Sequence, residues 1–198
     1  MLQVPKDLFV DMAVYKNVIK TEDDNECLKS IYYYAKALRA SETQNMSSTE
    51  IAAAQLSLIP LNSDDRILFL GVKGGYIQTV AAQIVEFQGQ AWIGSQDNQG
   101  LQHVEDVLTN HVPTILRQII KCVLVSNIQD VNQTLSQDLL ERFQPLLKVE
   151  GQLLAPINTD ENNQKFTMSH KTCDQNSGQT TLKNRIFNDW GIVFSSVL

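Results

Sequence analysis

RILFLGVKGGYIQTV, residues 66–80, sets how the whole chain is read. Ile67 to Leu70 form an apolar run with the look of a buried strand. Glycines follow at 71, 74 and 75, and helical spacing then runs from Tyr76 to Phe87 with Val80, Ala81, Ile84 and Val85 inward. Strand, turn and helix in this order open a βαβ unit, and the glycine-rich junction is where such units bring backbone close to a ligand. Upstream, SSTEIAAAQLSLIP (residues 47–60) has the capping-box spacing at Ser47 and Glu50, an apolar face of Ile51, Ala54 and Leu58, and a stop at Pro60. Before it, DDNECLKSIYYYAKALR (residues 23–39) predicts an amphipathic helix with Leu28, Ile31, Tyr32, Ala35 and Leu38 at helical spacing behind an acidic start.

Downstream the alternation continues. A strand is expected at 90–94, a helix at 100–108, a strand at 119–125, a helix at 136–147 and a strand at 151–157. Two further strands, QKFTMSH and NRIFNDWGIVFSSV, flank the turn-rich CDQNSGQ and predict an antiparallel hairpin. The fold expected is therefore α/β, a mostly parallel doubly wound sheet with a C-terminal antiparallel hairpin.

The 198 residues are 43% hydrophobic and 19% charged, which suits a globular chain and excludes a disordered one. A net charge of −6 with scattered lysines and arginines argues against a nucleic-acid surface. Cys27, Cys122 and Cys173 lie far apart without metal-ligand spacing, so neither a disulfide framework nor a zinc site is expected, and reduced thiols point to an intracellular compartment. His103, His111 and His170 have no metal or nucleophile partner in sequence. No run approaches the ~20 apolar residues that cross a bilayer, and the start of the chain lacks the pattern of a secretory signal.

Four segments in order resemble the protein-L-isoaspartate O-methyltransferase family, Rossmann-like enzymes that use S-adenosylmethionine. VPKDLFV (residues 4–10), followed by Ala13 and Tyr15, is similar to the family's N-terminal signature. QNMSSTEIAAAQLSLI (residues 44–59) resembles its Gln-Thr-Ile-Ser-x-Pro-His/Tyr segment, the opening stretch resembles its cofactor turn, and GQLLAPIN (residues 151–158) precedes the C-terminal strands. The resemblance covers nearly the whole chain and implies one methyltransferase-like domain over 1–198. Its N-terminal helical part is 1–60, with the 23–39 helix inserted, and its Rossmann-like core and hairpin are 61–198. It also implies a catalytic serine at Ser47 and a cofactor site at Gly71, Gly74, Gly75 and Ser95.

The departures fall on the chemistry. Phe69 stands where the family's first strand ends in an acid. Lys73 stands where the turn has a glycine, adding a Cβ, strain and a cation opposite the cofactor's sulfonium. Ser95 occupies the position of the ribose acid, about 20 residues beyond the turn, with Asp97 two residues along as a substitute. HVPTILRQ (residues 111–118) replaces a Gly-Asp-Gly-like adenine loop. Glu50 brings negative charge to the place of an isoaspartyl carboxylate, and Ser47 reads more simply as a helix cap. Losing two or three charge-assisted contacts costs on the order of 3–8 kcal/mol of affinity.

The expectation is a protein that keeps the fold and has lost the reaction. It binds no cofactor and works as a structural or accessory subunit among other proteins, in the cytoplasm or mitochondrion. The inserted helix then either lies over the substrate mouth or docks a neighbour through Tyr32, Tyr33 and Tyr34. The opposing reading is an active S-adenosylmethionine-dependent isoaspartyl methyltransferase using Ser47 and Asp97. A third is a different nucleotide-like ligand at the helix N-terminus after the turn.

Overall fold

The computed structural model describes residues 4–33, 37–42, 44–86, 88–112, 114–124, 143–160 and 163–187. Two compact units divide the chain, Met1–Asn127 and Ile128–Leu198.

The first unit begins with a 3-10 turn at Lys6–Phe9, then α1 (Met12–Ile19). Asp11 caps α1 by accepting from the N–H groups of Ala13 and Val14 at 2.9 and 3.1 Å. The helix stops at Lys20, whose φ of 58° turns the chain out of the helical path. α2 (Asp24–Tyr33) carries Asp24 and Glu26 in its first turn, where the helix dipole favours acids, and buries Cys27 and Ile31. It is shorter than the expected 23–39 helix. Leu38 instead enters β1 (Leu38–Arg39), paired antiparallel with β2 (Asn45–Met46), and both Leu38 and Met46 are buried in this ladder. Ladder hydrogen bonds and burial outweigh the helical periodicity there; Tyr34 and Ala35 lie outside the described residues. α3 (Thr49–Leu58) ends before Pro60 as expected, with Ile59 extended.

β3 (Arg66–Leu70), β4 (Gln90–Ser95) and β5 (Ile120–Leu124) form a parallel sheet in the order β3-β4-β5. β4 is its centre, with Ala91, Ile93, Gly94 and Ser95 buried. β3 is not the buried strand expected: Leu68 and Leu70 are exposed, and Ile67 and Phe69 only half-buried. Its residues fit any apolar strand, and its position at the end of this three-strand order leaves them uncovered. α4 (Tyr76–Val85) and α5 (Asn98–His111) supply the crossovers, and α6 (Thr114–Ile119) occupies most of the HVPTILRQ segment. One apolar cluster, from Phe9 and Tyr15 through Met46, Val72 and Ile93 to Val104 and Ile120, fills the interior of this unit.

In the second unit a 3-10 turn at Gln144–Leu146 leads to β6 (Gln152–Asp160), β7 (Asn163–Cys173) and β8 (Thr180–Phe187). The three strands form an antiparallel sheet in that order, so the expected hairpin is present and β6 joins it instead of extending the parallel sheet. Asp174 accepts from the N–H groups of Asn176 and Ser177 to fold the tight turn between β7 and β8. Of the helix expected at 136–147 the described part holds that 3-10 turn; residues 136–142, and 188–197 of the expected last strand, lie outside the described residues. Among the described residues no helix is long and apolar enough to cross a membrane.

Candidate functional site

The C-terminal ends of β3 and β4 and the starts of α4 and α5 bring most of the expected site residues together. Gly71 ties the two strand ends by donating its N–H to the Gly94 carbonyl at 2.8 Å. Gly74 and Gly75 both have positive φ, 78° and 85°, and a Cβ at Gly75 would lie 2.7 Å from a Val104 methyl. Glycine is therefore required there by backbone angle and by packing.

Lys73 adopts φ 45°, a left-handed conformation that a side chain pays to occupy, where the resemblance places glycine. Burial lowers the Lys73 ammonium below its ordinary value. Phe69 pairs with Ile93 across the ladder and offers no polar atom at the strand end.

The turn is also held from beneath. Gln78 is buried, and its side-chain N–H₂ donates to the carbonyls of Gly71 and Val72 at 3.2 and 2.7 Å. Thr79 donates its hydroxyl to the Gly75 carbonyl at 2.9 Å. The inward face of α4 thus runs through Gln78, Thr79, Ala82 and Val85 with the expected Ala81 buried beside it, while Val80 and Ile84 are half-buried. Counting back seven residues from Val85 would have found Gln78; its polar side chain hid it from an apolar pattern.

Ser95 is buried, and its hydroxyl accepts the Asp97 N–H at 3.1 Å. Asp97 is the N-cap of α5, and its carboxylate accepts the Gly100 N–H at 2.8 Å. The same carboxylate accepts from the side-chain N–H₂ of Gln44, whose carbonyl in turn accepts the Lys73 N–H at 3.2 Å.

At the start of α3 the cap is Ser48, not Ser47: the Ser48 hydroxyl accepts the Ile51 N–H at 3.4 Å. The cap therefore sits immediately before Thr49, which begins the helix. Ser47 is half-buried, and its hydroxyl makes no hydrogen bond among the described residues. Lys6 is buried beside this helix start and donates to the Thr49 hydroxyl at 3.1 Å. Burial lowers its pKa, and the nearby Glu50 carboxylate opposes that shift. Sequence reasoning missed this cation because Lys6 lies 43 residues from its partner.

The remaining candidates are scattered. The His103 ring meets the Phe9 carbonyl at 3.4 Å, and His170 lies 3.1 Å from the Glu150 carboxylate. Among the described residues no group of three or more His, Cys, Asp or Glu could hold a metal ion.

No protein-family model matches this chain, and no curated protein sequence matches it. Solved structures do. A protein-L-isoaspartate O-methyltransferase structure aligns with 98% of this chain at 12% identity and a TM-score of 0.65. This chain spans 60% of that protein's length. A second structure, described as a candidate protein-L-isoaspartate O-methyltransferase (beta-aspartate methyltransferase) from Plasmodium falciparum in complex with S-adenosyl-L-homocysteine, aligns over 100% of this chain and 99% of its own. Its identity is 17% and its TM-score 0.64. The chain thus has the Rossmann-like methyltransferase fold of these structures.

The residues at these strand ends lack the two acids by which, on the resemblance, S-adenosylmethionine would be held: Phe69 and Ser95 stand in their places. The Ser95 hydroxyl accepts the Asp97 N–H, and the Asp97 carboxylate caps a helix and binds Gln44. Lys73 puts a cationic side chain into the turn itself.

Proposed function

We propose that this protein is a catalytically inactive methyltransferase-like subunit, a single domain over 1–198 that serves a larger protein complex as a structural or accessory part. Lys73 carries the reading. A partly desolvated ammonium in the cofactor turn opposes a cationic ligand, and among the described residues it makes no ion pair that would offset the charge. Evolution toward cofactor binding disfavours this residue; a turn kept only for its architecture tolerates it.

The subunit role draws support from the inserted segment and the helix before it. Tyr32 and Tyr33 of α2 are 53% and 83% exposed, and Val18 of α1 is 56% exposed, aromatic and apolar surface of the kind that partner interfaces use. Free Cys27, Cys122 and Cys173 fit a reducing compartment, the cytoplasm or the mitochondrion.

One observation favours the second reading, an active protein-L-isoaspartate O-methyltransferase with an altered site: the Ser47 hydroxyl is not spent on the helix cap. A single experiment separates the two. The protein purified at endogenous level is sized in its native state, then incubated with an isoaspartyl peptide and labelled S-adenosylmethionine. The inactive-subunit reading expects a stoichiometric assembly and no label on the peptide. Label transfer by a lone monomer overturns it.

A further inference from the structure

Gln44 joins three pieces of chain that are far apart in sequence. It is the last residue of the β1–β2 connection, is 5% exposed, and has its backbone fixed on both sides. Its carbonyl accepts the Ala40 and Ser41 N–H groups at 2.9 and 3.2 Å, and its own N–H donates to the Ser41 hydroxyl at 3.1 Å. The side chain that this anchor projects reaches the Lys73 N–H with its oxygen and the Asp97 carboxylate with its nitrogen. Only one orientation of the carboxamide can do both, because an N–H group needs an acceptor and a carboxylate needs a donor. The surroundings are closely filled: a Cβ added at Gly100 would fall 2.6 Å from an Asp97 oxygen and 3.1 Å from the Gln44 Cγ.

A glycine-rich turn with a free N–H, facing an acid at the next helix start, is what a small polar ligand uses to bridge two strand ends in an open α/β sheet. Here a side chain of the same chain supplies both matching groups. We propose that Gln44 is a built-in occupant of this site, a tethered carboxamide that bridges the turn and Asp97 and holds the turn closed without any small molecule. This rests on the reading of the site as one that takes no cofactor. It explains how a turn containing a strained Lys73 stays ordered: the Lys73 N–H is anchored from one side by Gln44 and the turn's carbonyls from beneath by Gln78. The tether also makes the occupant intramolecular, so it competes with any dissolved ligand at a high effective concentration.

The test is amide hydrogen exchange of the full-length chain, read at Lys73 and, as a control for global folding, at Ile93 in the centre of the sheet. Gln44→Leu keeps the size and removes both polar contacts. The Lys73 amide is expected to exchange about tenfold faster, the loss of roughly one hydrogen bond, while Ile93 is unchanged. Unchanged Lys73 exchange overturns the proposal.

A second pair of variants decides the matter if Gln44→Leu does not fold. Gln44→Glu sets a carboxylate against Asp97 and is expected to speed Lys73 exchange. Gln44→Glu/Asp97→Asn restores a donor opposite the new acid, and asparagine still caps α5. Restored protection in the double variant supports the built-in bridge. Exchange as fast as in Gln44→Glu alone overturns it. Because neither readout involves a cofactor, the bridge and the inactive-subunit reading can fail separately.

Discussion

The hydroxyl that starts α3 belongs to Ser48, so Ser48→Ala is expected to cost about 1 kcal/mol in urea unfolding, and Ser47→Ala to stay within about 0.5 kcal/mol. Sequence spacing favours Ser47, which stands three residues before Glu50, but the cap is decided by where the chain leaves β2, and that places Ser48 at the helix start. Lys73 makes a second prediction. Burial lowers its pKa in the folded chain below the ordinary 10.5. Between that lowered value and 10.5 the unfolded chain holds more protons, so Lys73 makes stability rise with pH across that window. Cys122, pushed up to about 11 by burial, acts in the opposite sense: the unfolded thiol ionises first, and stability falls from its ordinary 9.0 toward 11. Lys73→Met is therefore expected to steepen the alkaline loss of stability relative to wild type, measured by denaturant midpoints across the alkaline range. An identical pH profile would remove Lys73's burial from the account. The glycines at 71, 74 and 75 were legible as a turn, since glycine takes at no steric cost the positive φ found at all three positions. The roles of Gln44 and Gln78 were not, because a glutamine reads as surface until its distant partners are known.

Among elements, β3 shows what an apolar run can and cannot say. Ile67 to Leu70 identify a strand, and the strand is present, but burial depends on neighbours the run does not encode. With Leu68 at 53% exposure and Ile93 fully buried, Leu68→Ser is expected to cost under about 1 kcal/mol and Ile93→Ala about 2–4 kcal/mol in unfolding experiments. Equal costs would contradict the placement of β3 at the open end of the described order. The same logic shortens the 23–39 helix. Its first ten positions carry an acidic start and a buried face at Cys27 and Ile31, whereas Leu38 satisfies its backbone and its side chain better opposite Met46. α5 is longer than its apolar pattern, because Asp97 sets its start three residues before the first inward position at Gly100 and Leu101.

For the whole molecule, the α/β class was legible because the periods of two and 3.6 alternate along the chain and the turn signals fall between them. The fold-level likeness to protein-L-isoaspartate O-methyltransferase structures agrees with that reading at identities of 12% and 17%. Fold does not carry function, and the account turns on particular residues: Phe69 and Lys73 at the turn, Ser95 and Asp97 each accepting a backbone N–H, and Gln44 bridging Lys73 and Asp97. The most direct test is isothermal titration of the purified full-length chain with S-adenosylmethionine and S-adenosylhomocysteine. The account predicts no saturable binding below about millimolar. Saturable micromolar binding of either ligand would contradict it.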